Sequence, residues 1–536
     1  MTIGSARVGS LLAIVLLAFA SQPLAAGAAR AAPTVGTVSG EVVGSEESGV
    51  SAFKGIPFAA PPVGKLRWRS PQAPETWRRR DATAFGPACI QPPSRAQDEA
   101  LGPTGPQSED CLTLNVWTPS PAADERRPVL VWIHGGGFVS GAGSLAAYNG
   151  LALARKGAVV VTINYRLGNL GFFAHPALDR ESSTSPANFG LLDQIAALRW
   201  VQANIDAFGG DRRNVTIVGE SAGAQSVLAL FASPLARDLF HRGIAQSPYG
   251  IPSHSPAEAR TIGIGIGKAL GVGGEEASIA SLRSIPAEAI ARMSGRGQTL
   301  APSLVYGDLV LPAPILERFE RGQSAAVPLI IGNNSNEASV AELFGIDPRL
   351  LLRNLGLARI GVRLLFPEAG DEADLARLVV RDAVFAAFVK RIADLHSERA
   401  TAWRYHFSYL PERRQGIEPG VPHGGEIAFV LGTLASTPDY QDIHTPRDDR
   451  IADQMAAYWL AFAMTGRPEP ADKPEWPSSS PRQSVTMEFA DSPRAHLRFH
   501  DRRLNILIGV IGVLGDMLDM RREKADRTDM GGVDAV

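Results

Sequence analysis

A serine hydroxyl is a weak nucleophile at neutral pH. It attacks a carbonyl only with a general base in reach and an acid to orient that base. The stretch Thr216–Val227, TIVGESAGAQSV, offers such a serine. Thr216, Ile217 and Val218 are apolar or β-branched, as a buried strand requires, and Ala222–Phe231 has the composition of a helix. Gly219 and Gly223 flank Ser221, so the chain can pass sharply from strand to helix without side-chain clash. Such a turn holds the hydroxyl proud of a sheet and aims the helix's first N–H groups at the same point. In a chain with 54 glycines the pattern also arises by accident, so its setting and its partners decide the matter. A second glycine cluster, His134-Gly135-Gly136-Gly137-Phe138, follows the apolar run Val129–Ile133. Three consecutive glycines cost backbone entropy, and they make sense where main-chain N–H groups must approach a ligand. The bland alternative is a flexible turn.

In α/β-hydrolases the order along the chain is serine, acid, histidine. Six histidines follow both Ser221 and Glu337: His396, His406, His423, His444, His496 and His500. His406 falls in a predicted strand and His396 in a predicted helix, and His496 and His500 are expected past the last sheet elements. Only His423, in Pro422-His423-Gly424-Gly425-Glu426, sits on a glycine-flanked loop just after a strand, where the base belongs. Glu337 likewise follows a strand end and is the preferred acid, with Asp308 and Asp347 as positional rivals.

These residues need a sheet to hold them. Val129–Ile133, Val159–Ile163, Gly243–Gln246, Pro328–Ile331 and Trp403–Tyr409 read as strands, the first two buried on both faces. Helical patterns such as Leu191–Ala203 and Ile451–Met464 lie between and after them, which argues for a mostly parallel α/β sheet. Val35–Phe58 reads as a small β-meander, and Leu112–Trp117 alternates as a strand should. Leu66–Asp110 is loop-rich, Ser255–Ala400 mostly helical, Asn505–Leu518 an apolar helix, and 521–536 a disordered tail.

The chain's 536 residues, 45% hydrophobic, suffice for a large core, taken as one domain over 33–520. A net charge of −2 without long runs of one sign gives no footprint for nucleic acid. With two cysteines there is no C-x-x-C pair, and no HExxH occurs, so neither a metal nor any cofactor is expected. Residues 1–32 have the form of a cleaved secretory signal: Arg7, the apolar run Leu11–Ala20, then small residues at Ala26-Gly27-Ala28 and Ala29-Arg30-Ala31. The apolar run is far short of a membrane span, so a secreted or periplasmic protein without a stable anchor is expected. Export permits a disulfide, with Cys89 and Cys111 the available pair; two reduced buried thiols are the alternative. Asn214-Val215-Thr216 and Asn333-Asn334-Ser335 fit glycosylation sequons but lie beside expected active-site strands, and are read as accidental.

GESAG, HGGGF, the segment EDCLTLNVWTP (Glu109–Pro119) and the run ALRWVQANIDAFGGD (Ala197–Asp211) together resemble the type-B carboxylesterase/cholinesterase-like family, over roughly Val35 to Leu514. The resemblance implies an α/β-hydrolase fold: a large, mostly parallel central sheet flanked by helices, with a helical region contributing to a substrate gorge. It implies Ser221 as nucleophile, His423 as base and Glu337 as acid, with oxyanion donors at the Gly136, Gly137 and Ala222 amides. It implies a Cys89–Cys111 bond and supporting roles for Glu220, Ser247 and Glu426. Two departures stand out. The Cys89–Cys111 loop has no aromatic residue, which removes the usual cation–π recognition of choline, and Pro248 stands where relatives usually have glycine. The expected activity is hydrolysis of a small-molecule carboxylic ester through an acyl-enzyme. Rival readings are an interfacial lipase using Asn505–Leu518, a serine peptidase or amidase, and a non-catalytic binding module. Oligomeric state and the acyl and alcohol groups are not legible.

Overall fold

Runs of valine, isoleucine and leucine bounded by glycine become the strands of one sheet. A computed structural model describes residues 31–182, 186–294, 303–343, 347–354 and 358–512. Its main sheet contains β1 (Ser45–Glu47), β2 (Val50–Pro57), β3 (Thr113–Thr118), β4 (Arg127–Ile133), β5 (Val159–Ile163) and β6 (Gly210–Glu220), followed by β7 (Arg242–Gln246), β8 (Leu329–Asn334), β9 (Ala402–Phe407), β10 (Val485–Phe489) and β11 (Pro493–Leu497). The spatial order is β11-β10-β9-β8-β7-β6-β4-β5-β3-β2-β1. From β10 across to β5 every neighbouring pair is parallel. The pairs outside that block, β11 with β10 and β5-β3-β2-β1, are antiparallel. The sheet is thus a mixed one with a parallel centre.

The parallel strands bury both faces, and the period of two divides their side chains. Val129, Val131, Ile133, Val161, Ile217 and Ile331 go to one core; Leu130, Trp132, Val160, Val218 and Ile330 go to the other. Helices α1 (Phe189–Asn204) and α2 (Ala222–Ala232) contribute to the first core, and α5 (Pro446–Thr465) to the second. The middle of the chain is mainly helical, including α3 (Glu372–Val380), a π-helical turn at Arg381–Ala386 and α4 (Ala387–His396).

Three expectations need correction, and the burial of one strand is added to them. The Val35–Phe58 meander splits: Thr34–Thr37 pairs with Gly40–Val43, which pairs in turn with Arg79–Asp81 in a separate sheet, and only the rest joins the main one. The alternating strand β3 is present and is buried along its whole length; Asn115 satisfies its polar side chain internally, donating to Thr162 Oγ1 at 2.9 Å. His496 does not lie past the sheet; it is part of β11, which folds back on β10 as an antiparallel edge. α5 starts five residues earlier than its apolar periodicity, since Thr445, just before Pro446, forms a capping box with Asp448.

By its contacts the chain divides into Met1–Ala32 and Pro33–Val536. The expected signal, apart from its last two residues, and the 521–536 tail lie outside the described residues, as do the final residues of the Asn505–Leu518 helix. That helix runs over 501–512 within the described part and leaves Ile506, Val510 and Ile511 exposed. Among the described residues no helix is long and apolar enough to cross a membrane. Asn333 is buried, which sets that sequon inside the folded chain.

Candidate active site

The C-terminal ends of β4, β6, β7 and β8 converge where strand order switches from β6-β4 to β4-β5, the place where open α/β sheets bind ligands. Ser221 sits between β6 and α2 at φ 56°, ψ −121°, a conformation costly for a residue with a side chain. Its N–H donates to Gln246 O at the end of β7, at 2.8 Å. The flanking glycines are required by space. A Cβ on Gly219 would lie 2.4 Å from Gly223 O, and one on Gly223 would lie 2.1 Å from Ile133 O. α2 therefore begins in contact with the end of β4.

That contact brings the glycine cluster to the serine. A Cβ on Gly135 would stand 3.2 Å from Ser221 Cβ, and Gly136 and Gly137 take φ of 100° and 62°, where glycine is favoured. Among the described residues, no protein group accepts from the Gly136, Gly137 and Ala222 amides. The loop itself is pinned. Tyr165 Oη donates to His134 O at 2.8 Å and its ring stacks on the imidazole at 4.4 Å, while Gly168 N–H donates to Phe138 O at 2.6 Å. Burial lowers the His134 imidazole to about 4, so it is neutral beside the loop.

Glu337 follows β8 and is fully buried. Its Oε1 accepts from Ser247 Oγ and from Asn334 N–H, both at 2.6 Å, and its Oε2 lies 2.5 Å from His423 Nδ1. The His423 backbone N–H donates to Ser339 Oγ at 2.8 Å. Among the described residues the far nitrogen, Nε2, makes no hydrogen bond with Ser221 or any other group. It faces Glu220 Oε1 at 3.2 Å, near enough for charge attraction but not aligned as a hydrogen bond. Catalytic hydrogen bonds are often long before substrate arrives. Burial alone would depress the His423 imidazole, but the Glu220 and Glu337 carboxylates outweigh it and hold it well above the usual histidine value. Burial pushes Glu220 up, against the pull of His423.

The sequence-predicted residues divide by what they touch. Ser221, Gly136, Gly137, Ala222, Glu220, Ser247, Glu337 and His423 share this site. Glu426 does not reach His423 by a hydrogen bond; it braces Asn334 Nδ2 at 2.5 Å and Gln246 Nε2 at 3.1 Å, whose strands carry the acid and the serine contact. Asp308 accepts from the N–H groups of Val310, Leu311 and Ala187, and Asp347 pairs with Arg349, so the rival acids are engaged elsewhere. His396 bonds Val327 O and His496 pairs with Glu488. Cys89 and Cys111 are joined in a disulfide. Sequence reasoning missed Asn334, Gln246, Ser339 and Phe385, whose ring centroid lies 5.4 Å from that of His423. The polar run Asn333–Asn336 at a strand end was the available signal for Asn334.

Residues 28–351 and 370–507 match the model of the Carboxylesterase family. The chain belongs to the carboxylesterase family. This carboxylesterase-family chain is 35% identical over 476 residues to fumonisin B1 esterase from Sphingopyxis macrogoltabida, covering 84% of this chain and 85% of that protein. It is 33% identical over 462 residues to para-nitrobenzyl esterase from Bacillus subtilis (strain 168), covering 83% and 92%. Acetylcholinesterase from Bungarus fasciatus is also 33% identical, over 533 residues, covering 88% and 84%. Among solved structures, a PNB esterase superposes with a TM-score of 0.76 at 31% identity, covering 88% of this chain and 99% of that one. The family and the fold make the chain a carboxylic ester hydrolase with an α/β-hydrolase fold.

Proposed function

We propose that the chain is an exported serine esterase that hydrolyses small-molecule carboxylic esters through an acyl-enzyme at Ser221. The observation that carries this reading is the buried 2.5 Å pair of Glu337 and His423 beside a serine on a strained strand-to-helix turn. Glu337, fixed by Ser247 and Asn334, orients the imidazole by accepting from Nδ1–H, which leaves Nε2 to take the Ser221 proton. The Ser221 oxygen attacks the ester carbonyl, and the carbonyl oxygen, now negative, is met by the Gly136, Gly137 and Ala222 amides. His423, protonated, delivers its proton to the leaving alcohol; water then enters by the same route and releases the acid. Each oxyanion donor is worth about 3–4 kcal/mol of barrier, and general acid–base transfer about 10²–10⁴ in rate. No step calls for a cofactor. The test is turnover of p-nitrophenyl acetate by Ser221→Ala: loss of at least about 10³-fold with the fold intact is expected, and wild-type turnover refutes the assignment.

A further inference from the structure

The Cys89–Cys111 loop lacks the aromatic residue that would give it a ligand, yet one of its side chains reaches the glycine loop. Gln91 is buried, and its amide meets both peptide groups of Gly141: Nε2 donates to Gly141 O at 2.9 Å, and Gly141 N–H donates to Oε1 at 2.8 Å. The second Nε2 hydrogen goes to Cys89 O at 3.0 Å. The amide's orientation is forced, because reversing it would set its oxygen against two carbonyls. Gln91 is in turn anchored. Its own N–H donates to Gln107 Oε1 at 3.0 Å; the Gln107–Ser108 strand pairs with Ala88–Cys89, and the disulfide ties Cys89 to Cys111 just beyond that strand.

Gly141 closes the turn that Gly136 opens. Val139 N–H and Ser140 N–H both donate to Gly136 O at 3.0 Å. A Cβ on Gly136 would lie 2.3 Å from Ser140 O, and one on Gly141 would lie 2.3 Å from His134 Nδ1. The turn is therefore tightly wound, with no room for a side chain at either glycine. Tyr165 and Gly168 hold its near side, and Gln91 holds Gly141 at its far side.

We infer that Gln91 is a positioning residue for the oxyanion donors, coupling the disulfide loop to the Gly136 and Gly137 amides. This rests on the reading that those amides meet the oxyanion. Acylation and deacylation both pass through that oxyanion, so loosening the donors slows both steps together and leaves KM in place. In Gln91→Leu, kcat for p-nitrophenyl acetate, counted per serine titrated with diethyl p-nitrophenyl phosphate, is expected to fall about 10–100-fold with KM within about twofold. Inactivation by the same phosphate ester should slow in step. In Gln91→Glu a protonated carboxyl supplies one donor and one acceptor, so its kcat relative to wild type should rise as pH is lowered, while that of Gln91→Leu stays flat. A merely structural role would lower the melting temperature and the titratable fraction but leave kcat per titrated serine unchanged, and that result overturns the inference. If Gln91→Leu does not fold, the pH response of Gln91→Glu decides alone, a flat response counting against the inference. Wild-type turnover in Ser221→Ala would sink the parent reading separately, whatever the Gln91 variants do.

Discussion

At the scale of single residues, the site is governed by how three carboxylates share one imidazole. Glu337 holds Nδ1, Glu220 faces Nε2, and Glu426 stands back behind Asn334. Negative charge on both sides stabilises the imidazolium, so the proton leaves His423 at higher pH than from an ordinary histidine. The base must be neutral to accept from Ser221, which places the acid limb of kcat/KM above the usual histidine range. Replacing Glu220 with Gln removes one stabilising charge, so the limb should move to lower pH. A pH profile of kcat/KM with a limb unmoved or moved upward would contradict this. The sequence made Ser221, His423 and Glu337 legible because each sits in a short polar or glycine-rich stretch at a predicted strand end. It did not reveal Gln91 or Phe385. Their roles depend on contacts across 50 and 38 positions, and neither glutamine in a loop nor phenylalanine in a helix carries a local mark.

At the scale of elements, the site depends on how closely α2 approaches β4. Gly223 has no room for a side chain against Ile133 O, and the same approach sets Gly135 against Ser221. Gly223→Ala should therefore push α2 off the sheet end, costing about 1–3 kcal/mol as an overpacked core does, and lower kcat along with stability. Urea unfolding checks it; an unchanged midpoint would show that the contact yields freely. The parallel strands were readable because burial on both faces writes continuous apolar runs. The hairpin of β10 and β11 was not, since Pro493–Leu497 is short, opens on a proline and leaves its apolar Leu497 exposed on the edge. The π-helical turn at Arg381–Ala386 was equally invisible: its sequence is that of an ordinary helix, and only packing sets Phe385 against His423 and Tyr249.

At the scale of the whole molecule, histidines buried as neutral groups tie stability to pH. His396, the last residue of α4, is held by Val327 O, and burial lowers its pKa to about 4. The unfolded chain takes up this proton near pH 6.5, whereas the folded chain refuses it until about pH 4. Acidification across that window therefore favours unfolding, and stability is regained as pH rises. His396→Gln should reduce the slope of stability against pH there by up to about 1.4 kcal/mol per unit, as read from urea melts at several pH values. An identical slope in variant and wild type would mean that this proton uptake is not coupled to folding.

The central claim is that one serine carries the acyl group. Intact-mass and peptide mapping of the protein after treatment with diethyl p-nitrophenyl phosphate tests it most directly. One diethylphosphoryl adduct per chain on Ser221, absent from Ser221→Ala and formed in step with loss of esterase activity, is the predicted result. Full loss of activity with the adduct on another residue, or an unmodified Ser221 in the inactivated protein, would contradict it.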